Sequence, residues 1–357
     1  MNRTFGDGTI QQSTAIGAWL NYRSAQWNKL SFTLTGYTSQ PFFNNLPQYG
    51  GANLLTRDQK GFAVLGRAFA EVELGKSKLR LYRQSMETPF INLNDVRMVP
   101  VTLEAYTCEG AASDKLNFMV SHVTKIKGWS MNGFQSMSAY AGYPGTDKPV
   151  TLAGVRFIPD DKYKFQLWNY VCYDYMNIVY FQGDAKWPVE KDTFLTLSAQ
   201  YIDQHDIGQN PLAGKFSTGA SGVLAGVLCN GLGVTLGHTS TQEGHDIVNP
   251  WGSYQGYASL IEEDCDLAGE KAWVAGISYD FRHIGLKNVS AFMNHSHAFL
   301  SRSGSVLDPR QNENNFTIDY RPDGDLWLRF RAAKVDSALD MNDLNISDCR
   351  IILNYSF

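Results

Sequence analysis

One pattern fills almost the whole chain: apolar and polar residues alternate with a period of two, in short runs separated by turn residues. The ending shows it plainly. In Arg350-Ile351-Ile352-Leu353-Asn354-Tyr355-Ser356-Phe357, the residues Ile351, Leu353, Tyr355 and Phe357 share one strand face, and Arg350, Asn354 and Ser356 lie on the other. Runs of this kind fall near 15–23, 28–38, 61–74, 77–84, 102–109, 115–124, 149–158, 164–171 and 174–182. Others fall near 192–202, 218–228, 232–240, 270–280, 287–297, 311–320, 326–335 and 346–357. No segment reads as a long amphipathic helix. The expectation is an all-β chain of 17 strands.

The connections between the runs constrain the architecture further. Gly75-Lys76-Ser77, 110–114, 159–163, 229–231 and 321–325 are short; 39–60, 85–101, 125–148, 203–217, 241–269 and 298–310 are long. Short and long alternate, apart from one break near Cys172–Asp174. A transmembrane barrel with short periplasmic turns and long outer loops has this asymmetry, and a propeller or sandwich does not.

Composition agrees. Only 18% of residues are charged, against roughly 25% in soluble domains. A barrel hides an apolar exterior within an average polar composition, because lumen positions alternate with lipid positions. A transmembrane helix within 216–242 is the competing reading. Six glycines between Gly219 and Gly237 oppose it, and Asn230-Gly231 reads as a tight hairpin turn. The net charge of −4 gives no reason to expect nucleic acid. The five cysteines form no CxxC pair, so no zinc ribbon or covalent haem is expected.

Seventeen is odd, whereas bacterial single-chain barrels have even counts with both ends periplasmic. Walking back from Phe357, the run 15–23 descends, which leaves residues 1–14 on the outer side. Residues 1–20 also lack the basic start and apolar core of a signal peptide. The expectation is one barrel over residues 1–357, preceded in the natural protein by a signal and one further strand, for eighteen in all. A shorter alternative pairs residues 2–10 as a stunted strand.

With Phe357 setting the phase, alternation turns Arg350, Arg329, Arg331, Arg156, Lys78, Arg80, Arg67 and Glu71 into the lumen. Arg67, Arg80, Arg156, Arg329, Arg331 and Arg350 then form a candidate basic track. Guanidinium holds carboxylates with a planar fork, and rows of charge in a low-dielectric tube draw anions inward. The competing reading pairs each arginine with a lumen acid such as Glu71, Glu73 or Asp319. Loop 85–101 mixes apolar and polar residues. It is expected to fold inward and narrow the pore, presenting Glu87, Asn92, Asn94, Asp95 and Arg97. Loop 241–269 carries six acids and no Lys or Arg; it is read as solvated rather than cation-binding.

Enzymatic constellations are weak. Ser221 in Gly219-Ala220-Ser221-Gly222 is not a nucleophile elbow. His295 and His297 share a face near His283 without obvious third ligands, and no phosphate loop occurs. Neither catalysis nor a resident metal or cofactor is expected.

The stretch Lys78-Leu79-Arg80-Leu81 leading to Glu87-Thr88-Pro89-Phe90, followed by Gly154-Val155-Arg156-Phe157, resembles the OprD-like family of substrate-selective outer-membrane porins. Leu328-Arg329-Phe330-Arg331 and Cys349-Arg350-Ile351-Ile352-Leu353-Asn354-Tyr355 extend the resemblance. It implies an 18-stranded barrel with a constricting third loop and an arginine ladder matching Arg80, Arg156, Arg329, Arg331 and Arg350. It further implies passive uptake of small, often carboxylate-bearing solutes. The loops are shorter than in well-known members, and the cysteines are unusual. The expected partners are outer-membrane lipid, lipopolysaccharide and small solutes, with the barrel a monomer or a weak homotrimer. A barrel sheathing a partner such as an electron-transfer cytochrome is the alternative function.

Overall fold

A computed structural model describes residues 1–43, 45–209, 211–300, 310–337 and 345–356. Phe357, from which the phase was counted, lies outside them. The chain forms β1 (Asn2–Phe5), β2 (Ile10–Gln12), β3 (Ala15–Arg23), β4 (Leu30–Pro41), β5 (Phe62–Leu74), β6 (Ser77–Gln84) and β7 (Thr102–Ser113). Next come β8 (Leu116–Lys127), β9 (Gln135–Ser136), a one-turn helix α1 (Met137–Tyr140), β10 (Val150–Asp160), β11 (Tyr163–Cys172), β12 (Met176–Glu190) and β13 (Thr193–Asp206). The wall ends with β14 (Ser217–Cys229), β15 (Leu232–Thr241), β16 (Glu270–Asp280), β17 (Val289–Leu300), β18 (Arg310–Tyr320), β19 (Leu326–Ser337) and β20 (Ile346–Tyr355).

Among the described residues, all twenty strands join one sheet, and every strand pairing is antiparallel. The expected 17 runs are all present; β1, β2 and β9 are additional. Each of these three is too short and too polar to show a period. Twenty strands make eighteen columns, fewer by two. The chain passes from β2 to β3 through Ser13 and Thr14, and β9 pairs with β8 beyond the end of β10 on the same edge.

The wall closes at its outer end. β1 pairs with β20 from Asn2↔Cys349 to Phe5↔Ile346, and with β2 on its other side. This is the stunted strand of the shorter alternative. Below it, Arg350–Tyr355 ladder only with β19, and β3 only with β4, among the described residues.

Alternation sorts the side chains as lipid outside and lumen inside require. On β12, Met176, Ile178 and Tyr180 are buried, while Phe181 is exposed. Val234 and Leu236 on β15, Ile351 and Leu353 on β20, and Phe316 and Tyr320 on β18 are exposed as well. Such continuous apolar exposure is a liability in water and the contact surface in a bilayer. Asn230 and Gly231 turn β14 into β15 with φ of 47° and 81°, the primed geometry that matches strand twist. The segment expected as strand 174–182 continues to Glu190. Gly183 and Pro188 resemble breakers, but Pro188 stands at a register shift near the strand's end, where the missing N–H costs little.

The barrel has a core, supplied by its loops. Met86, Phe90 and Ile91 of loop 85–101, Met137 of α1, and Trp251 and Tyr254 of loop 242–269 pack against Trp168, Tyr170 and Tyr180 of the inner wall. Phe90 makes edge contacts with Tyr170 and Tyr180 at centroid distances of 5.8 and 6.1 Å. His295 and His297 lie on β17 beside Asn314 and Asn312 of β18, with Nδ1 to amide oxygen distances of 2.9 and 2.7 Å.

Candidate functional site

Loop 85–101 is held from three sides. Thr88 Oγ1 donates to the Ile91 carbonyl at 2.8 Å, and the Phe90 amide donates to Tyr170 Oη at 3.3 Å. Asn92 joins this loop to loop 242–269. Its Oδ1 accepts from the Ser253 amide at 2.9 Å, and its Nδ2 donates to the Ser253 carbonyl at 3.1 Å. From β8 and the segment after it, Lys127 Nζ donates to the Pro100 carbonyl and Trp129 Nε1 to the Asn94 carbonyl, both at 2.6 Å. Lys127, Trp129 and Ser253 were not singled out in the sequence. Each acts through a backbone carbonyl or amide, which no side-chain pattern announces.

The predicted loop residues therefore divide. Asn92 is buried and spent on the loop–loop contact, which corrects its expected place among the groups presented to the pore. Asn94 adopts φ of 41° and contributes its carbonyl to Trp129. Glu87 and Asp95 are exposed. Although these residues are exposed overall, partial desolvation of the carboxyl group, then the Asp95 charge, raises Glu87 above the usual range, and partial desolvation raises Asp95. Arg97 lies over the Trp129 ring at 5.1 Å. Burial, then the Arg350 and Arg3 guanidiniums, pushes Arg97 down to about 10, so it stays charged at neutral pH.

The arginines of the expected track also divide, by partner. Arg80 binds Glu71 and Glu109, each at 2.7 Å. Arg329 forks onto Asp319 at 2.7 and 2.8 Å, and Trp327 Nε1 donates to the same carboxylate. Arg350 binds Asp348 at 2.6 Å and Glu262 at 2.5 Å. These three are neutralised, as the competing reading held. Arg67, Arg156 and Arg331 pair with no carboxylate among the described residues. Each keeps a buried Nε without a hydrogen-bond partner, and so does Arg97. Arg156 stacks on Trp168 at 5.3 Å and donates to the Glu87 carbonyl at 3.1 Å. It lines a cavity of about 490 Å³ together with Lys78, Glu109, Asn117 and Trp168.

Loop 242–269 is solvated only in part: Glu243, Asp246 and Asp264 are exposed, as the sequence expectation held, while Glu262, Glu263 and Asp266 are drawn inward, which corrects it for these three. The side chain of Glu262 is only 3% exposed and binds Arg3 and Arg350. The Glu313 carboxylate accepts from the amides of Ile261, Glu262 and Glu263 at 2.9, 3.2 and 2.9 Å. Asp246 accepts from the Ala268 amide at 2.7 Å. Burial raises Glu263 and Asp266 to about 7. The basic partners stand on β1 and β20, so a loop without Lys or Arg looked uncompensated when read alone.

An eighteen-column antiparallel wall with an apolar exterior, a polar interior and inward-packed loops defines a transmembrane β-barrel of the outer-membrane type. The profile of the outer membrane porins of the OprD family matches residues 46–357, and the chain belongs to that family, in the bacterial outer membrane. None of the curated protein sequences compared with it matches. Among solved structures, Pseudomonas aeruginosa OccK9 (OpdG) is similar with 20% identity and a TM-score of 0.90, over 99% of this chain and 94% of that one. Acinetobacter baumannii OccAB4 has 13% identity and a TM-score of 0.87, over 99% and 94%. Pseudomonas aeruginosa OpdK, in its structure with vanillate, has 16% identity and a TM-score of 0.86, over 99% and 95%.

Proposed function

We propose that the barrel admits small carboxylate-bearing solutes by passive, selective diffusion. Arg67, Arg97, Arg156 and Arg331 carry the solute, while Arg80, Arg329 and Arg350 are occupied by internal acids. The observation behind this reading is the set of four guanidiniums with buried Nε atoms and no carboxylate partner among the described residues. An unpartnered buried donor is costly in the resting protein, and a visiting anion relieves that cost. Loop 85–101 narrows the path, with Arg97 on its inner side and Glu87 and Asp95 repelling anions that approach in the wrong orientation. Transit requires contacts strong enough to admit the solute and weak enough to release it. The vanillate in the OpdK structure is a solute of the class this reading favours. The exterior contacts outer-membrane lipid.

The test is ion selectivity in a planar bilayer under a salt gradient. Wild-type protein is expected to prefer chloride over potassium, and replacement of Arg67, Arg156 and Arg331 by glutamine is expected to remove that preference. Selectivity unchanged by the triple replacement would defeat the track. A folded, inserted, non-conducting barrel would favour the sheath reading instead.

A further inference from the structure

At the closing seam, four side chains form a closed ring of ion pairs. Arg3 on β1 binds Glu262 at 2.6 Å and Asp348 at 3.2 Å; Arg350 on β20 binds Glu262 at 2.5 Å and Asp348 at 2.6 Å. Asp348 takes the Nε of both arginines, and Glu262 takes the Nη2 of both. Asp348, on the wall, thus bridges the two arginines by itself. The second carboxylate arrives from a loop, 259 positions from Arg3 and 88 from Arg350 along the chain.

The surroundings of the ring stay cationic with Glu262 in place. Arg331 stands opposite Arg350 in the β19–β20 register, and Arg97 feels the charges of Arg350 and Arg3. Four guanidiniums thus face two carboxylates. The backbone at Glu262 is clasped separately, since Glu313 accepts the three successive amides of Ile261, Glu262 and Glu263. The Glu262 side chain can rotate away without unseating the segment that carries it.

We propose that Glu262 is a tethered carboxylate occupying the anion site formed by Arg3 and Arg350, and that a solute carboxylate displaces it during passage. This deepens the carboxylate reading and rests on it. Exchange of one carboxylate for another leaves the arginines paired at every stage. A tethered competitor acts at an effective concentration of millimolar or more, on the order expected for short links. It keeps solute residence brief and returns the site to its resting state.

The experiment is single-channel recording in chloride with increasing benzoate on the outer side, for wild type, Glu262→Gln and Glu243→Gln, the last removing an exposed acid of the same loop that lies outside the ring. Removal of the competitor is expected to lengthen benzoate-induced events and lower the half-effective benzoate concentration about tenfold in Glu262→Gln. Glu243→Gln removes the same formal charge but keeps the competitor and should leave that concentration near the wild-type value. Equal benzoate responses in wild type and Glu262→Gln would overturn the proposal. So would equal shifts in both variants, which would make the effect one of net loop charge alone. Should Glu262→Gln fail to insert, Glu262→Asp keeps the charge but withdraws it by one methylene, and an intermediate shift is expected; no shift refutes. Wild-type chloride preference without benzoate is read separately. Its absence would remove the carboxylate reading itself, whereas its presence with an unchanged benzoate response would remove only the displacement.

Discussion

Arg331 and Arg350 stand directly opposite each other across the β19–β20 ladder, and among the described residues only Arg350 meets a carboxylate. Like charges at opposed positions destabilise a sheet. The Asp348 and Glu262 contacts offset that repulsion for one arginine and leave the other available.

Replacement of Arg331 by methionine should therefore separate stability from function. The variant is expected to gain about 1 kcal/mol as the repulsion disappears, while anion preference falls. Heat-dependent gel mobility of the folded barrel reads the first, and reversal potential reads the second. A less stable variant would contradict the assignment of Arg331 as an uncompensated charge.

Asp319→Asn should act in the opposite sense on selectivity. The Arg329 fork and the Trp327 contact both end on Asp319. Loss of the negative charge frees Arg329 into the lumen, at a cost of about 1–2 kcal/mol for a partly exposed, bidentate pair. Chloride preference is expected to rise; a fall in preference would place Arg329 outside the solute path.

Asn92→Ala removes the main polar link between loops 85–101 and 242–269, and strands the Ser253 amide. A loss of about 1–3 kcal/mol at the loop contact is expected, with larger and noisier single-channel conductance. Unchanged conductance would show that aromatic packing around Phe90 and Trp251 alone sets the aperture.

The acids of loop 242–269 predict a pH response. Burial, with Glu313, Glu262 and Asp264 adding to it, raises Glu263; burial, with Asp264 and Asp246 adding to it, raises Asp266. Both reach about 7, from ordinary values of 4.5 and 3.8. A raised acid binds more protons when the loop is packed than when it is open, so packing weakens as pH rises. The loop is tightest below the ordinary values and loses that stability progressively up to about 7. Open-state noise should increase between pH 5 and pH 8, and Glu263→Gln should flatten the profile. Noise that decreases over this interval would contradict the burial of these groups.

The wall was legible because its cause is local. Each strand writes its two faces into successive residues, so Ile351, Leu353 and Tyr355 announce lipid and Arg350 the lumen without reference to any other strand. Asn230-Gly231 is legible for the same reason. The interior was less so. Alternation placed Arg80 and Arg329 inside, but whether an inward arginine is free depends on what stands opposite, as Glu71 and Asp319 do. Asn92 had the composition of a pore-facing residue; its partner, Ser253, lies 161 positions away. Glu262 was read among six loop acids as solvated because Arg3 and Arg350 come from the two ends of the chain. β1 was legible only as the shorter alternative, a stunted strand within residues 2–10, because four residues are too few to show a period.

The loops that fill the outer lumen divide the barrel into unlike halves. Toward the outside, Phe90, Tyr170 and Trp251 belong to one buried apolar cluster. Toward the periplasm, Arg156 opens onto a cavity of about 490 Å³. On the proposed reading of loop 85–101 as the constriction, these act in electrical terms as two resistors in series, a large one above and a small one below. Current through the whole tube would then report the upper one, so widening the lower half would leave conductance almost unmoved, and loosening a single contact above would change it at once.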